Sequence, residues 1–418
     1  MAKLCGEHAF YKHMAWMFSG SMLAQVIGLL AAPVLSRLYL PEDFGVYQLF
    51  LSLFSILAIL GTAKYEMAIV LPRFRVEAFH VMMASIAMGF FMAVGVFLFL
   101  FAAHVYFSWF AAVRLADYAF YLPIHIFSVA IYQSLYMWLV REQKFSVVSR
   151  GLVAFSLGDM ILSVGFFQFG YMGNGLIAAV VFARMAVSSC FLYYFWRHYK
   201  KYVRVLAGRR IFSMWKKYRD FPRYMVLGSV VNSSAAALPA VLINAFWGTQ
   251  VTGYYSLANQ FLNLPISLAS KSVGDVFKQE AVRIYKDLGN CQVFYRKNFG
   301  ILLRASLFLG SVFFLWGPDI FACFLGESWR VSGEYVRILM FMFVASMIAI
   351  PLNNIYVITQ RQRVYTLFQS LYFLAVAGAL GIGGYIFGDI WTSLLLLSVL
   401  AGSVQVVSIW YGDKIALK

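Results

Sequence analysis

Charge is scarce in this chain. Only 12% of its 418 residues are Asp, Glu, Lys or Arg, about half the share of a soluble domain. A polypeptide so poor in charge cannot cover a globule of this size with water-soluble surface. Acidic residues are the scarcer sign, with 17 Asp and Glu against 34 Lys and Arg and a net charge of +17. Cysteine is nearly absent. Cys5, Cys190, Cys291 and Cys323 are scattered without metal-site or redox-pair spacing, which points to free thiols and to no bound metal. No glycine-rich nucleotide loop occurs, which argues against direct ATP drive. No cofactor is implied.

What fills the chain instead is hydrophobic. Apolar residues make up 62%, including 41 Phe, 26 Tyr and 10 Trp, and mean hydropathy is positive. Runs of about 20 apolar residues predict membrane-spanning helices near 14–35, 44–63, 79–103, 117–140, 148–170, 174–196, 223–247, 252–273, 298–316, 335–358, 364–387 and 390–411. The first run is too long for a signal-peptide core and reads as a retained helix. The fold class is therefore an all-α membrane protein of about twelve spans.

Basic residues sit between these spans, not on a folded face, so the positive charge does not point to nucleic acid. Counted by side, 28 of the 34 Lys and Arg fall at the two termini and in 64–75, 141–150, 197–223, 271–297 and 361–363. The other side holds Arg37, Arg114, Arg330 and Arg337. Positive loops face the cytoplasm, so both termini are expected there, in a multi-pass protein of a bacterial inner membrane. The longest opposite loop is 317–334. Trp109, Trp247, Trp316, Trp329 and Tyr411 fall at span ends, where aromatic rings anchor at the interface. Linker cations Arg209, Arg210, Lys216 and Lys217 are placed to attract anionic headgroups.

The two halves carry a weak repeat. Phe44-Gly45-Val46-Tyr47-Gln48-Leu49 opens the second span and Thr252-Gly253-Tyr254-Tyr255-Ser256-Leu257 the eighth; both read x-Gly-x-Tyr-x-Leu. Pro33 and Pro239 precede them. Six spans followed by six in the same orientation describe a parallel pseudo-two-fold duplication, as in transporters that rock two lobes about a central site. The expected division is an N-terminal lobe 1–196, a basic linker 197–222 and a C-terminal lobe 223–418.

Three blocks carry a family resemblance. Ser36-Arg37-Leu38-Tyr39-Leu40-Pro41-Glu42-Asp43-Phe44-Gly45-Val46-Tyr47 resembles the signature between the first two helices of Wzx-type polysaccharide flippases. Lys64-Tyr65-Glu66-Met67-Ala68-Ile69-Val70-Leu71-Pro72 and Asp275-Val276-Phe277-Lys278-Gln279-Glu280-Ala281 are similar to two later blocks. The resemblance covers roughly the first two-thirds of the chain. It implies the fold of the multidrug/oligosaccharidyl-lipid/polysaccharide exporter superfamily. It also implies a cargo of undecaprenyl-pyrophosphate-linked oligosaccharide repeat units, moved from the cytoplasmic to the periplasmic leaflet. A polysaccharide polymerase and a chain-length regulator would be partners.

Charged residues within spans mark functional candidates, because burying them in lipid is costly. Asp159 and Arg184 lie at similar depth in the fifth and sixth spans and are positioned to pair. The pair reads either as a structural lock or as a site in which Arg184 meets substrate phosphate and Asp159 carries a coupling proton. Arg304 in the ninth span either faces a cavity or snorkels to the headgroups. Lys64 and Glu66 end the second span, either as a solvated helix end or as a cytoplasmic mouth where Lys64 grips phosphate and Glu66 titrates with proton or sodium transport. Asn259 and Asn263 share a helix face; with Asn232, Asn244, Gln260, Asn353 and Asn354 they read as interhelical hydrogen-bonders or as a sugar-binding wall. His125 reads as a satisfied helix contact.

Alternating access is the expected mode. A multidrug cation exporter of the same superfamily would prefer intramembrane carboxylates, whereas here Asp159 stands alone against Arg184 and Arg304. A membrane polymerase or ligase would need a larger periplasmic loop than 317–334, so the chain reads as a transporter and not an enzyme.

Overall fold

The computed structural model describes residues 2–106, 116–170 and 175–417, and these contain helices and no β-strand. Trp109, Arg114 and the segment 171–174 between the fifth and sixth expected spans lie outside the described residues, as do the side chains of Cys5, Lys3 and Lys12. Among the described residues, eleven helical runs are long and apolar enough to cross a membrane. Helix is the form a lipid-exposed chain must take, because every backbone N–H and C=O has to be satisfied internally. The chain divides into two compact units, Met1–Ala237 and Leu238–Lys418.

Unit 1 contains α1 (Ala2–Leu38), α2 (Pro41–Thr62), α3 (Arg75–Tyr106), α4 (Tyr121–Arg141), α5 (Phe145–Gln168), α6 (Gly175–Tyr199) and the short α7 (Gly208–Lys217). Pro41 occupies the first position of α2, where its missing N–H costs nothing, and Asp43 Oδ2 accepts from the Leu40 N–H at 2.9 Å. Helix α1 packs along α5, α5 along α6, and α3 and α6 along α4. Contact between α3 and α4 is tight enough that a Cβ at Gly89 would collide with Ala130. An aromatic core of Phe79, Trp138, Phe195, Tyr199 and Tyr202 fills one end of the unit.

The expected linker 197–222 is structured. Lys200–Val205 forms a 3₁₀ turn, and α7 lies against α3.

Unit 2 holds most of α8 (Val226–Ala269), then α9 (Asp275–Leu288), α10 (Gln292–Leu325), α11 (Arg330–Ile338), α12 (Met340–Leu352), α13 (Gln362–Ile382) and α14 (Ile390–Ile415). Helix α14 is the hub, packing on α12 and α13. The spans expected at 223–247 and 252–273 form one run, Phe221–Asp287, which is why eleven runs are found and not twelve. That run is broken at Gly248, whose φ of 84° and ψ of −179° are not helical. Only glycine adopts this conformation without strain. Trp247 Nε1 donates to Gly388 O at 3.0 Å beside the break. The segment expected as the loop 317–334 is largely helical, and Arg330 bridges Asp319 at 2.8 Å and Glu327 at 2.6 Å within it.

Candidate functional site

Within unit 1, four helices place polar side chains around one point. Arg184 on α6 and Asp159 on α5 each lie nine residues from the facing helix ends Gly175 and Gln168, or about 14 Å at the α-helical rise. The Arg184 guanidinium sits between two rings, with Cζ 3.5 Å from the Phe155 centroid and 4.4 Å from the Tyr132 centroid. Phe155 lies one turn before Asp159 on α5, and Tyr132 comes from α4. Tyr47 on α2 and His125 on α4 stand within electrostatic range of Arg184.

The expected ion pair does not form in this conformation. No salt bridge joins Asp159 to Arg184 among the described residues, and buried Asp159 Oδ1 and Arg184 Nε have no hydrogen-bond partner. The physical reason is the position of Phe155, whose ring draws the cation by its quadrupole; a desolvated contact of this kind is worth about 2 kcal/mol. His125 Nδ1 is also buried without a partner, whereas the Tyr132 hydroxyl stands within hydrogen-bonding reach of the Arg184 guanidinium. His125 is therefore not the satisfied helix contact expected; its ring packs on Phe54 at 4.1 Å and Phe50 at 6.0 Å. Each unpaired buried polar atom costs about 1–3 kcal/mol, so Arg184 Nε with Asp159 Oδ1 and His125 Nδ1 forms an under-satisfied site with capacity for a ligand.

Neighbouring contacts hold the cluster in place. Ser188 Oγ lies 2.7 Å from both Ser128 O and Arg184 O, tying α6 to α4. Tyr39 Oη donates to Ser163 O at 2.7 Å, and a Cβ at Gly175 would collide with that hydroxyl. The 36–47 block thus fastens α2, with Tyr47, against α5 and α6.

Lys64 and Glu66 lie beyond the end of α2, not on it. Ala63 and Lys64 adopt left-handed φ values of 48° and 61°, and Tyr65–Val70 forms a 3₁₀ turn. Glu66 is buried and its Oε2 has no partner. Burial pushes its carboxyl pKa above the ordinary glutamate value. Arg141 holds the turn through Ile69 O at 3.3 Å, Val70 O at 3.0 Å and Arg73 O at 3.4 Å. No hydrogen bond, ion pair or ring contact among the described residues links this turn to the Arg184 cluster.

The remaining candidates lie on α8, on α10 and just beyond α12. Arg304 is exposed, and its Nε donates to Gly300 O at 3.0 Å on its own helix. Asn263 Nδ2 donates to Asn259 Oδ1 at 2.9 Å, so the shared face is real. Buried interhelical bonding does not describe most of the amides: Asn232, Gln260 and Asn263 are exposed, and Asn244 and Asn259 half-buried. Buried Asn353 accepts from Ser408 at 3.2 Å, and Asn354 donates to Pro351 O at 3.0 Å. Cys190 and Cys323 are exposed and Cys291 is buried, all three outside any disulfide. No cluster of His, Cys, Asp and Glu among the described residues would hold a metal.

Residues 34–334 match the family model described as "Polysaccharide biosynthesis protein". A stretch of 255 residues is 29% identical to the succinoglycan biosynthesis transport protein ExoT of Rhizobium meliloti (strain 1021), covering 58% of this chain and 47% of that protein. The match thus spans about half the length of that relative. The fold is similar to an inward-facing multidrug resistance MATE family transporter of the MOP superfamily, with TM-score 0.70 and 17% identity over 96% of this chain and 98% of that one. It is equally similar to the lipid II flippase MurJ in an inward closed conformation, with TM-score 0.71 and 13% identity over 97% and 87% of the two chains. The match over 34–334 takes in all three sequence blocks and the whole Arg184 cluster, and the chain belongs to the polysaccharide biosynthesis protein family.

Proposed function

We propose that this protein is a flippase that carries undecaprenyl-pyrophosphate-linked oligosaccharide repeat units from the cytoplasmic to the periplasmic leaflet. The observation that carries the reading is the under-satisfied Arg184 site inside the membrane-spanning part of unit 1. An arginine held by rings and not by a carboxylate keeps donors free for an anion, and its planar fork matches phosphate. Family membership supports a glycan-linked cargo.

In this reading Arg184 meets pyrophosphate as the cargo passes. Arg304, exposed and without an acidic partner among the described residues, is a second phosphate contact. Lys64 receives phosphate at the cytoplasmic mouth, and the exposed face of Asn259 and Asn263 meets sugar hydroxyls. Asp159 and Glu66 are the carboxylates for coupling to protons or sodium, because both are buried and incompletely paired. Both termini lie in the cytoplasm, and two lobes alternate access while the polyprenyl tail stays in lipid. No catalytic chemistry is required; polymerase and chain-length regulator act on the delivered product.

Complementation of a flippase-null strain tests this. The wild-type chain is expected to restore surface glycan, and Arg184→Ala and Arg304→Ala to accumulate lipid-linked repeat units at normal protein level. A wild type that restores nothing, in a strain making its own native repeat unit, would overturn the glycan cargo and make organic-cation efflux the next assay.

A further inference from the structure

The segment Gly208–Lys217 separates its chemistry by face. At 3.6 residues per turn, Ile211, Phe212, Met214 and Trp215 occupy one side of α7, and Arg209, Arg210, Lys216 and Lys217 occupy the other within an arc of about 120°. Every one of the four cations is exposed. Phe212 is 68% exposed despite lying on the apolar side.

Contacts with the rest of unit 1 fix this helix in one orientation. Trp215 Nε1 donates to Ala84 O on α3 at 2.9 Å, and its ring meets Phe91 edge-on at 6.2 Å. Tyr65 Oη donates to Trp215 O at 3.0 Å, which ties α7 to the turn carrying Glu66. Lys217 pairs with Glu77 at the start of α3. Helix α3 has 32 residues, about 48 Å, which exceeds a hydrocarbon core of about 30 Å. Glu77, which meets Lys217, precedes the span expected at 79–103, so the cationic side of α7 stands at the membrane surface while Trp215 reaches Ala84 and Phe91 within that span.

Two of the nearby acids are already engaged, Glu77 by Lys217 and Glu142 by Arg75 at 2.9 Å. Arg209, Arg210 and Lys216 have no ion pair among the described residues. Three unpaired cations above an apolar side with an exposed Phe match one partner, the anionic headgroups of the leaflet that α7 faces.

We infer that α7 is a surface helix that binds anionic phospholipid through Arg209, Arg210 and Lys216, and that the bound leaflet holds the Lys64–Val70 turn through Trp215 and Tyr65. Cargo identity plays no part in this inference. The three cations lie outside the proposed transport site, so removing them lowers lipid retention without removing a phosphate contact from the pathway.

The test uses the full-length protein in bilayers of phosphatidylcholine containing a minority of phosphatidylglycerol, with retained lipids identified by native mass spectrometry. Wild type is expected to retain phosphatidylglycerol preferentially. The triple variant R209Q/R210Q/K216Q should lose about fivefold of that preference per cation removed, whereas R197Q/K200Q/K201Q, with the same loss of charge, should keep it. The wild-type preference should also weaken with added salt, since surface charges are screened within a Debye length; this arm stands even if the triple variant fails to fold. An unchanged preference in the α7 variant, an equal loss in the control variant, or a salt-insensitive preference would each overturn the assignment.

Discussion

Arg184 sits over Phe155, 3.5 Å from the ring centroid, and not against the carboxylate of Asp159 four residues further along the same helix. The cation is held close to an acid without being neutralised by it. Structural ion pairs in membranes close on one another, since each charge relieves the other's desolvation. Here the aromatic ring supplies the attraction, and the guanidinium edge stays available.

Arg184→Met is expected to leave the melting temperature unchanged or raise it, because an arginine with an unpaired buried Nε is replaced by an apolar side chain of similar length. Transport should fall by at least tenfold, since a single charge-assisted hydrogen bond is worth about 1.5–3 kcal/mol. Melting curves of the purified variant and flux in vesicles check both halves. A fall of melting temperature by more than a few degrees would identify Arg184 as a structural residue.

Stability should decline with rising pH through Glu66. Burial raises the folded-state pKa of this carboxyl above its ordinary value of 4.5, so the folded protein binds more protons than the unfolded chain between the two pKa values. Stability then falls as pH rises from about 4.5 to the raised value and levels off above it. Glu66→Gln removes that contribution and should flatten this part of the curve. Melting temperature measured against pH in both proteins decides the matter, and parallel curves would refute it.

Gly248→Ala should destabilise unit 2. Its φ of 84° with ψ of −179° belongs to glycine, and a side chain there costs about 1–3 kcal/mol. A lower melting temperature with Trp247 still bonded to Gly388 is the expected result. An Ala variant as stable as wild type would show that the break is relieved by continuous helix.

Tyr65→Phe removes the hydroxyl that donates to Trp215 O. The expected loss is about 1 kcal/mol, localised to α7 and the turn that follows α2. Hydrogen–deuterium exchange should quicken in 208–217 and 64–70 and stay unchanged in α12 and α14. Uniform quickening would mean that the bond supports the whole unit.

The membrane-spanning character of this protein was legible in its sequence. Hydropathy marks helices because lipid offers no partner to a bare backbone, and the run lengths placed the spans to within a few residues for most helices. Scarce mid-span charge likewise singled out Asp159 and Arg184, since an ionisable residue in lipid is rare on energetic grounds. The break at Gly248 falls where the sequence ends one span at 247 and begins the next at 252, but the sequence did not show that helix resumes directly beyond it.

What only the tertiary structure decided is which residues share space. Tyr132 and Phe155 read as ordinary members of apolar runs, Tyr47 stood out only through the repeat and the 36–47 block, and His125 only as a helix contact. Their convergence on Arg184 follows from the rotation and pairing of α2, α4, α5 and α6. The hydropathy of a buried helix is nearly the same all round, so its pattern contains little record of that rotation. Helix α7 is the opposite case: at the water boundary its apolar and cationic residues had to part, and its sequence shows the division, while only the packed unit shows that Trp215 and Lys217 are engaged and that Arg209, Arg210 and Lys216 are not. Composition determined the solvent and the helices; side-chain packing, which depends on distances between residues far apart in the chain, determined the site.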